Sequence, residues 1–189
     1  AQESRGLGDV YKRQKVNYVV RKSLENAVQM EYKALTDDMT GAYNKNRLIE
    51  LLNNRERDGQ DIAVIYWDVN QLKYVNDNWG HLCGDRLITE VAKSIQSIAR
   101  EEDIVIRYGG DEFLLYVANG TKEIAEQLIE AWKVRLEEEK KRENYEFPVS
   151  ASVGYALGKH SQLKDIIAAA DKDMYANKSI CRESYQSKR

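Results

Sequence analysis

Ile62-Ala63-Val64-Ile65-Tyr66-Trp67 is a short, unbroken apolar run that stops at Asp68. Its length and its β-branched and aromatic content predict a strand. Without polar alternation, both faces of that strand must be covered. Such a strand needs a layer of packed structure on each side, which helices elsewhere in the chain can supply. Asp68 then leaves the core at the end of the strand, where α/β proteins place their ligands.

The remaining pattern fits that demand. Asn44 to Arg57 reads as a helix with Leu48, Leu51 and Leu52 on one face. A short helix over Leu72 to Asn76 and a loop from Asn78 to His81 follow the apolar run. Asp85 to Ala99 is amphipathic through Leu87, Ile88, Val91, Ile95 and Ile98. Ile104 to Arg107 and Phe113 to Val117 form a hairpin around Gly109-Gly110. Thr121 caps a helix carrying Ile124, Leu128, Ile129, Trp132 and Leu136 on one face, and its charged end, Glu137 to Glu143, is a solvated surface. Pro148 to Ala156 reads as a strand, and Ser161 caps a last helix reaching Lys178 or beyond. The expected fold class is α/β: a mixed central sheet flanked by helices, with a hairpin carrying the Gly-Gly turn and an N-terminal connector helix.

The ends read differently. Asp9-Val10-Tyr11-Lys12-Arg13-Gln14 back-translates to the end of a transposon-type sequencing adapter, so residues 1–14 are set aside as a non-native tail. On that reading, an upstream sensor region preceded Lys15. Residues 15–35 carry Val20, Leu24, Ala27 and Ala34 in a heptad interrupted by Glu31. That pattern serves either a short signalling coiled coil or a connector packed on the domain. The domain proper runs over 36–182, and 183–189 form a tail.

Composition narrows the chemistry. With 2 His and 2 Cys in 189 residues, a disulfide framework and a four-cysteine zinc site are excluded, and little room is left for a histidine metal cluster. The cysteines read as reduced thiols of a cytoplasmic protein. No apolar run of about 18 residues is present, and neither a Walker-type phosphate loop nor a dinucleotide fingerprint occurs. Lys plus Arg is 29 against 31 Asp plus Glu, a net charge of -2, which argues against a bulk nucleic-acid binder. Any chemistry falls to carboxylates, amines, guanidiniums and backbone amides.

Gly109-Gly110-Asp111-Glu112 is where such chemistry concentrates. The glycines let a hairpin turn tightly and a ligand approach the backbone. Adjacent acids repel unless a cation sits between them or one is protonated. Strand alternation puts Asp111 and Glu112 on opposite sides, so one of them faces the same cation as Asp68. Oxygen ligands alone suit magnesium, which takes one or two carboxylates and substrate phosphates. The plainer alternative is a solvated acidic turn.

Arg107-Tyr108-Gly109-Gly110-Asp111-Glu112-Phe113 resembles the signature of the GGDEF domain, the diguanylate cyclase module of bacterial signalling. Asp37-Asp38-Met39-Thr40-Gly41, Asp68 to Asp77, Gly80 to Asp85, Ser152 to Tyr155 and Ala170 to Lys178 resemble other motifs of that family, in its order. The resemblance implies a nucleotidyl-cyclase-like fold. It also implies that two GTP condense to cyclic di-GMP and two pyrophosphates, with magnesium or manganese, in a homodimer. By the same resemblance, Asp68, Asp111, Glu112 and the Val69 carbonyl hold the metal, and Asp111 helps to deprotonate the attacking hydroxyl. Asn76 and Asp85 read guanine, while Lys73, Lys178 and Arg182 contact phosphate beside Gly109 and Gly110. Arg100 and Asp103 match an RxxD site for inhibition by the product. Helix caps and solvated charges are the plainer readings of Asn76, Asp85, Lys178 and Arg182. Asn70, Cys181 and Glu183 depart from the usual pattern. The alternatives to an active cyclase are a non-catalytic receptor for GTP or cyclic di-GMP, and a dimerisation module.

Overall fold

The computed structural model describes the backbone of residues 2–186 and the side chains of residues 15 and 17–178. The side chains of Cys181, Arg182, Glu183 and residues 1–14 lie outside the described part of the structure. The chain divides into two units, residues 1–36 and 37–189. The first is one helix, α1 (Gln2–Leu35), whose backbone runs through the stretch set aside at 1–14. Its Tyr18, Val20, Leu24 and Val28 are exposed.

The second unit contains α2 (Lys45–Asn53), β1 (Asp61–Val69), α3 (Leu72–Trp79), α4 (His81–Gln96), β2 (Ile104–Arg107), β3 (Glu112–Ala118), α5 (Lys122–Glu143), β4 (Ala151–Lys159) and α6 (Leu163–Gln186). The four strands form one sheet in the order β2-β3-β1-β4. β1 is central, and the Ile62–Trp67 run is buried throughout. Ala63, Ile65, Trp67 and Val69 join Leu87, Val91, Ile95 and Trp132 in one core, beneath α4 and α5. Ile62, Val64 and Tyr66 join Leu48, Leu51, Ile166 and Met174 in a second core, beneath α2 and α6.

The sequence suggests a mixed sheet, yet the named strands pair antiparallel throughout. The parallel contribution among the described residues is an isolated bridge, Tyr43↔Ile106. The strand–helix–strand pattern does produce parallel strands, but not as neighbours. β1 and β2 point the same way with β3 between them; β3 and β4 point the same way with β1 between them. The topology is therefore a split βαβ arrangement.

Several boundaries shift for local reasons. The helix expected over Asn44 to Arg57 stops at Asn53, and Asn54 caps a separate 3-10 turn by accepting the Glu56 N–H at 3.2 Å. Gly80, at φ 84°, alone breaks α3 from α4, so α4 starts at His81 rather than at Asp85. β4 starts at Ala151 and continues to Lys159, which pairs with Asp61 at the far end of β1. The exposed edge of β4 is closed by α6. Asp173 accepts the Tyr155 N–H at 2.9 Å, and Asn177 donates to the Val153 carbonyl at 3.0 Å. Side chains thus replace a missing neighbour strand and blunt an edge open to pairing. Among the described residues, no helix is long and apolar enough to cross a membrane.

One buried polar chain ties the second core together. His160 contacts the Leu51 carbonyl through Nε2 at 2.8 Å and the Tyr116 hydroxyl through Nδ1 at 2.9 Å. A carbonyl only accepts, so Nε2 carries the proton and Nδ1 accepts from Tyr116. Tyr116→Phe should cost about 1–3 kcal/mol, because it leaves a buried acceptor unpaired. Urea unfolding of the two proteins measures this, and matching midpoints would show that the bond contributes nothing.

Candidate active site at the end of the central strand

The register places Asp68 opposite Glu112 on β3 and Ser152 on β4. Cross-strand partners project to the same face, so Asp68 and Glu112 lie side by side where the second core ends. Backbone bonds fix the surrounding loops. The Val69 N–H donates to the Asp111 carbonyl and the Asn70 N–H to the Ser150 carbonyl, both at 2.9 Å. Asp111 itself stands in the turn, one residue before β3. The acid that shares a face with Asp68 is thus Glu112.

Across the turn, the N–H groups of Tyr108 and Gly109 donate to the Glu112 carbonyl at 2.8 and 3.2 Å. Neither Gly109 nor Gly110 has a left-handed φ. The expectation that glycine is there to let the chain turn tightly therefore needs refining. At Gly109 the constraint is space: an added Cβ would sit 2.1 Å from Glu112 Oε2. At Gly110 an added Cβ would meet open space.

Arg107 locks the turn to the segment before α2. Its Nη2 donates to the Gly110 carbonyl at 2.7 Å, and its Nη1 lies 3.0 Å from Asp37 Oδ1. Asp37 also accepts from the Thr40 hydroxyl at 2.7 Å. Partial burial raises the pKa of Asp37, but hydrogen bonds from Thr40 and Arg107 outweigh it and hold the carboxyl below its ordinary value. Both residues stand in motifs that the sequence singled out, with no role attached. Only the fold brings them together, across 70 positions.

Each carboxylate of the pair has its own partner. Lys178, from α6, places Nζ 2.5 Å from Asp68 Oδ1, and both side chains are largely buried, at 18% and 19% exposure. Tyr66 donates its hydroxyl to Glu112 Oε1 at 2.6 Å. Burial and the adjacent Glu112 push the Tyr66 phenol well above its ordinary pKa. No group of three or more His, Cys, Asp or Glu side chains converges among the described residues. An ion here would take at most two side-chain carboxylates and complete its shell with carbonyl, water or ligand oxygens. That donor set fits magnesium or manganese and suits a softer metal poorly.

The other proposed residues gather nearby in sequence. Asn76, half-buried on α3, lies against α4 so closely that a Cβ on Gly84 would sit 1.9 Å from Asn76 Oδ1. Asp85 follows Gly84 and is exposed, as is Lys73 on the first turn of α3. Asn76 and Asp85 thus flank one bare patch of helix. A shallow cavity of about 400 Å³ lies beside the turn, lined by Asp37, Lys45, Arg107 and Gly109 among others. A larger groove of about 770 Å³ lies between α5 and β4, with Ser152, Asp173 and Asn177 in its lining.

Arg100 and Asp103 do meet, but on each other. Arg100 Nε and Nη2 donate to the two Asp103 oxygens at 2.9 and 2.8 Å, and Nη2 also reaches the Ala118 carbonyl at 2.8 Å. The Asp103 side chain is fully buried.

A diacidic turn apposed to the end of a doubly buried strand, with a lysine from the last helix, defines a class. The chain belongs to the GGDEF family: the family profile described as "Diguanylate cyclase, GGDEF domain" matches residues 34–184. It is 35% identical over 148 residues to the probable diguanylate cyclase DgcJ of Escherichia coli K12, covering 76% of this chain and 29% of DgcJ. It is 34% identical over 149 residues to the cyclic di-GMP phosphodiesterase PdeR of the same organism, covering 77% of this chain and 22% of PdeR. The chain thus spans less than a third of the length of either protein. The structure of the coiled coil and GGDEF domain of DgcB from Caulobacter crescentus, in complex with c-di-GMP, superposes with a TM-score of 0.72 at 25% identity. That match covers 89% of this chain and 93% of DgcB's.

The Asp37–Arg107 lock carries a pH signature. A lowered folded-state pKa contributes stability above the unfolded pKa, and that contribution is lost as pH falls through the folded value. Asp37→Asn should therefore lower the melting temperature at neutral pH, with the gap to wild type closing below about pH 4. A gap that stays constant down to pH 3 would show that the charge of Asp37 is immaterial.

Proposed function

We propose that this domain condenses two GTP into cyclic di-GMP with release of two pyrophosphates, as a homodimer in which each domain holds one GTP. The observation that carries the reading is the apposition of Asp68 and Glu112 beside the Asp111 turn, with Lys178 reaching in from α6. Asp68, Glu112 and the Val69 carbonyl, with Asp111 next to them, are the groups to hold a divalent cation, magnesium or manganese. When bound, that cation neutralises phosphate oxygens and makes the attacking 3′-hydroxyl easier to deprotonate.

The chain's own residues do the rest. Asp85 accepts the N1–H and N2–H of guanine together, a pairing adenine cannot offer, and Asn76 completes the reading of the base. Lys73, Lys178 and Arg182 hold phosphate. Lys178 and Arg182 are four residues apart in sequence, a spacing that suits two cations acting on one triphosphate. Lys178 starts on Asp68, so the incoming triphosphate exchanges one oxyanion partner for another. Asp111 positions and accepts the proton of the attacking hydroxyl. Product inhibition at Arg100 and Asp103 requires their mutual ion pair to open, since both Asp103 oxygens are taken.

Residues 15–35 serve as a connector or short coiled coil to an upstream sensor, 36–182 as the cyclase domain in the bacterial cytoplasm, and 183–189 as a tail. The second reading is a domain that binds GTP or cyclic di-GMP without turnover. It draws on the similarity to PdeR, which is named for a phosphodiesterase activity.

Incubation with GTP and magnesium, following cyclic di-GMP and pyrophosphate over a range of protein concentrations, tests the proposal. Turnover per chain should rise with concentration. Tight nucleotide binding without product at high concentration would sink the cyclase reading in favour of the second. Asp111→Ala should abolish turnover, and an undiminished rate would remove Asp111 from the mechanism. Arg100→Ala should relieve inhibition by added cyclic di-GMP with initial turnover retained; an unchanged inhibition curve would count against the RxxD site.

A further inference from the structure

Tyr66 is a core residue with one polar atom, and that atom touches the site. The residue is 2% exposed, and its ring packs edge-on against Tyr108 with centroids 6.0 Å apart. A phenylalanine would fill this space equally well. What the hydroxyl adds is one bond, to Glu112 Oε1 at 2.6 Å. The pairing register explains the contact. Tyr66 lies opposite Leu114, so Glu112 is its diagonal neighbour on the same face, within reach of a long aromatic side chain.

The geometry points to Tyr66 as a positioning residue for Glu112: its hydroxyl holds Oε1 in the second core and so directs Oε2 over the bare backbone of Gly109. Two observations meet on one carboxylate. Oε1 is anchored from below by Tyr66, and Oε2 occupies the space that any Cβ at position 109 would need, 2.1 Å away. A glutamate has several torsions to fix before it can act as a ligand. A donor locked in the core fixes them in advance, so the oxygen offered to a cation is already in place. Partners that orient a ligating carboxylate typically change metal affinity or activity about 10- to 100-fold when removed. Strand alternation makes an anchor available two residues before Asp68, on the face that Asp68 and Glu112 share, and Tyr66 stands there.

This inference rests on the reading of Glu112 as a cation-holding carboxylate, and the test separates the two. Wild type and Tyr66→Phe are titrated with Mn²⁺ in the presence of 3′-deoxy-GTP, which lacks the attacking hydroxyl, and free Mn²⁺ is followed by electron paramagnetic resonance. Tyr66→Phe should bind Mn²⁺ about 10- to 100-fold more weakly, while its melting temperature in metal-free buffer shows whether the fold is kept. The same substitution in a Glu112→Gln background should produce no further loss, because the tyrosine acts through that carboxylate. With GTP, the activity lost by Tyr66→Phe should return as metal is raised. Equal Mn²⁺ affinities in wild type and Tyr66→Phe would overturn the positioning role. An equal loss in the Glu112→Gln background would also overturn it, since the tyrosine would then act on the fold at large. Absence of nucleotide-dependent Mn²⁺ uptake by the wild type would overturn the metal reading itself, and the positioning role with it.

Discussion

Everything at the candidate site follows from the double burial of β1. Both faces of the strand are packed and both edges are paired, so it has no place for a charge between Ile62 and Trp67. Polarity resumes only where the packing ends, and there it is dense. Isolated carboxylates at such a boundary are costly, because burial takes away solvent faster than distance takes away repulsion. The fold meets this with partners of its own. Lys178 compensates Asp68, and the Tyr66 hydroxyl satisfies one oxygen of Glu112. The two devices differ in kind. The lysine is a charge brought in from the last helix, on a long side chain that reaches the carboxylate from outside the sheet. The phenol is built into the core and cannot move away without unpacking it.

The split βαβ topology explains why the site draws on such distant parts of the chain. Inserting β3 between β1 and β2 brings the diacidic turn against the end of β1. Placing β1 between β3 and β4 leaves β4, and the helix that follows it, on the other flank. α6 then both closes the β4 edge, through Asp173 and Asn177, and carries Lys178 one residue further to Asp68. Edge protection and charge compensation come from residues within two successive turns of one helix, with Asn177 and Lys178 adjacent. The same residues that keep the sheet from pairing outward therefore set the height at which the lysine reaches the site.

Much of this was legible from sequence, and what was not has a common cause. Periodicity announces which face of an element is apolar, so the β1 run, the hairpin and the helix faces of α4 and α5 could be read directly. Alternation was expected to set Asp111 and Glu112 on opposite sides, but β3 starts at Glu112 and Asp111 stands in the turn, so it is the end of the strand that separates the two acids. Periodicity carries no information about neighbours in space. The antiparallel pairing, the Asp37–Arg107 lock and the Tyr66–Glu112 bond each depend on which strand lies beside which. The assignments to Asn76, Asp85, Lys73, Arg100 and Asp103 came from family resemblance rather than from periodicity. The fold sets Asn76 against Gly84, next to Asp85, and it closes Arg100 on Asp103.

The Gly-Gly pair shows how one motif can hold two unlike constraints. Neither glycine is at a left-handed φ, so backbone freedom does not explain them. Gly109 is bare because Glu112 needs the space; a methyl group there would displace the carboxylate that the rest of the turn is arranged to hold. Gly110 crowds nothing within the protein, and its carbonyl is already held by Arg107. A side chain at Gly110 would therefore project outward, where only something arriving from solution would meet it. The inner glycine protects the geometry of the carboxylate, while the outer one faces open space. The fold accounts for the first; at the second it leaves room for a side chain, and a bare position there is what the proposed nucleotide site would call for.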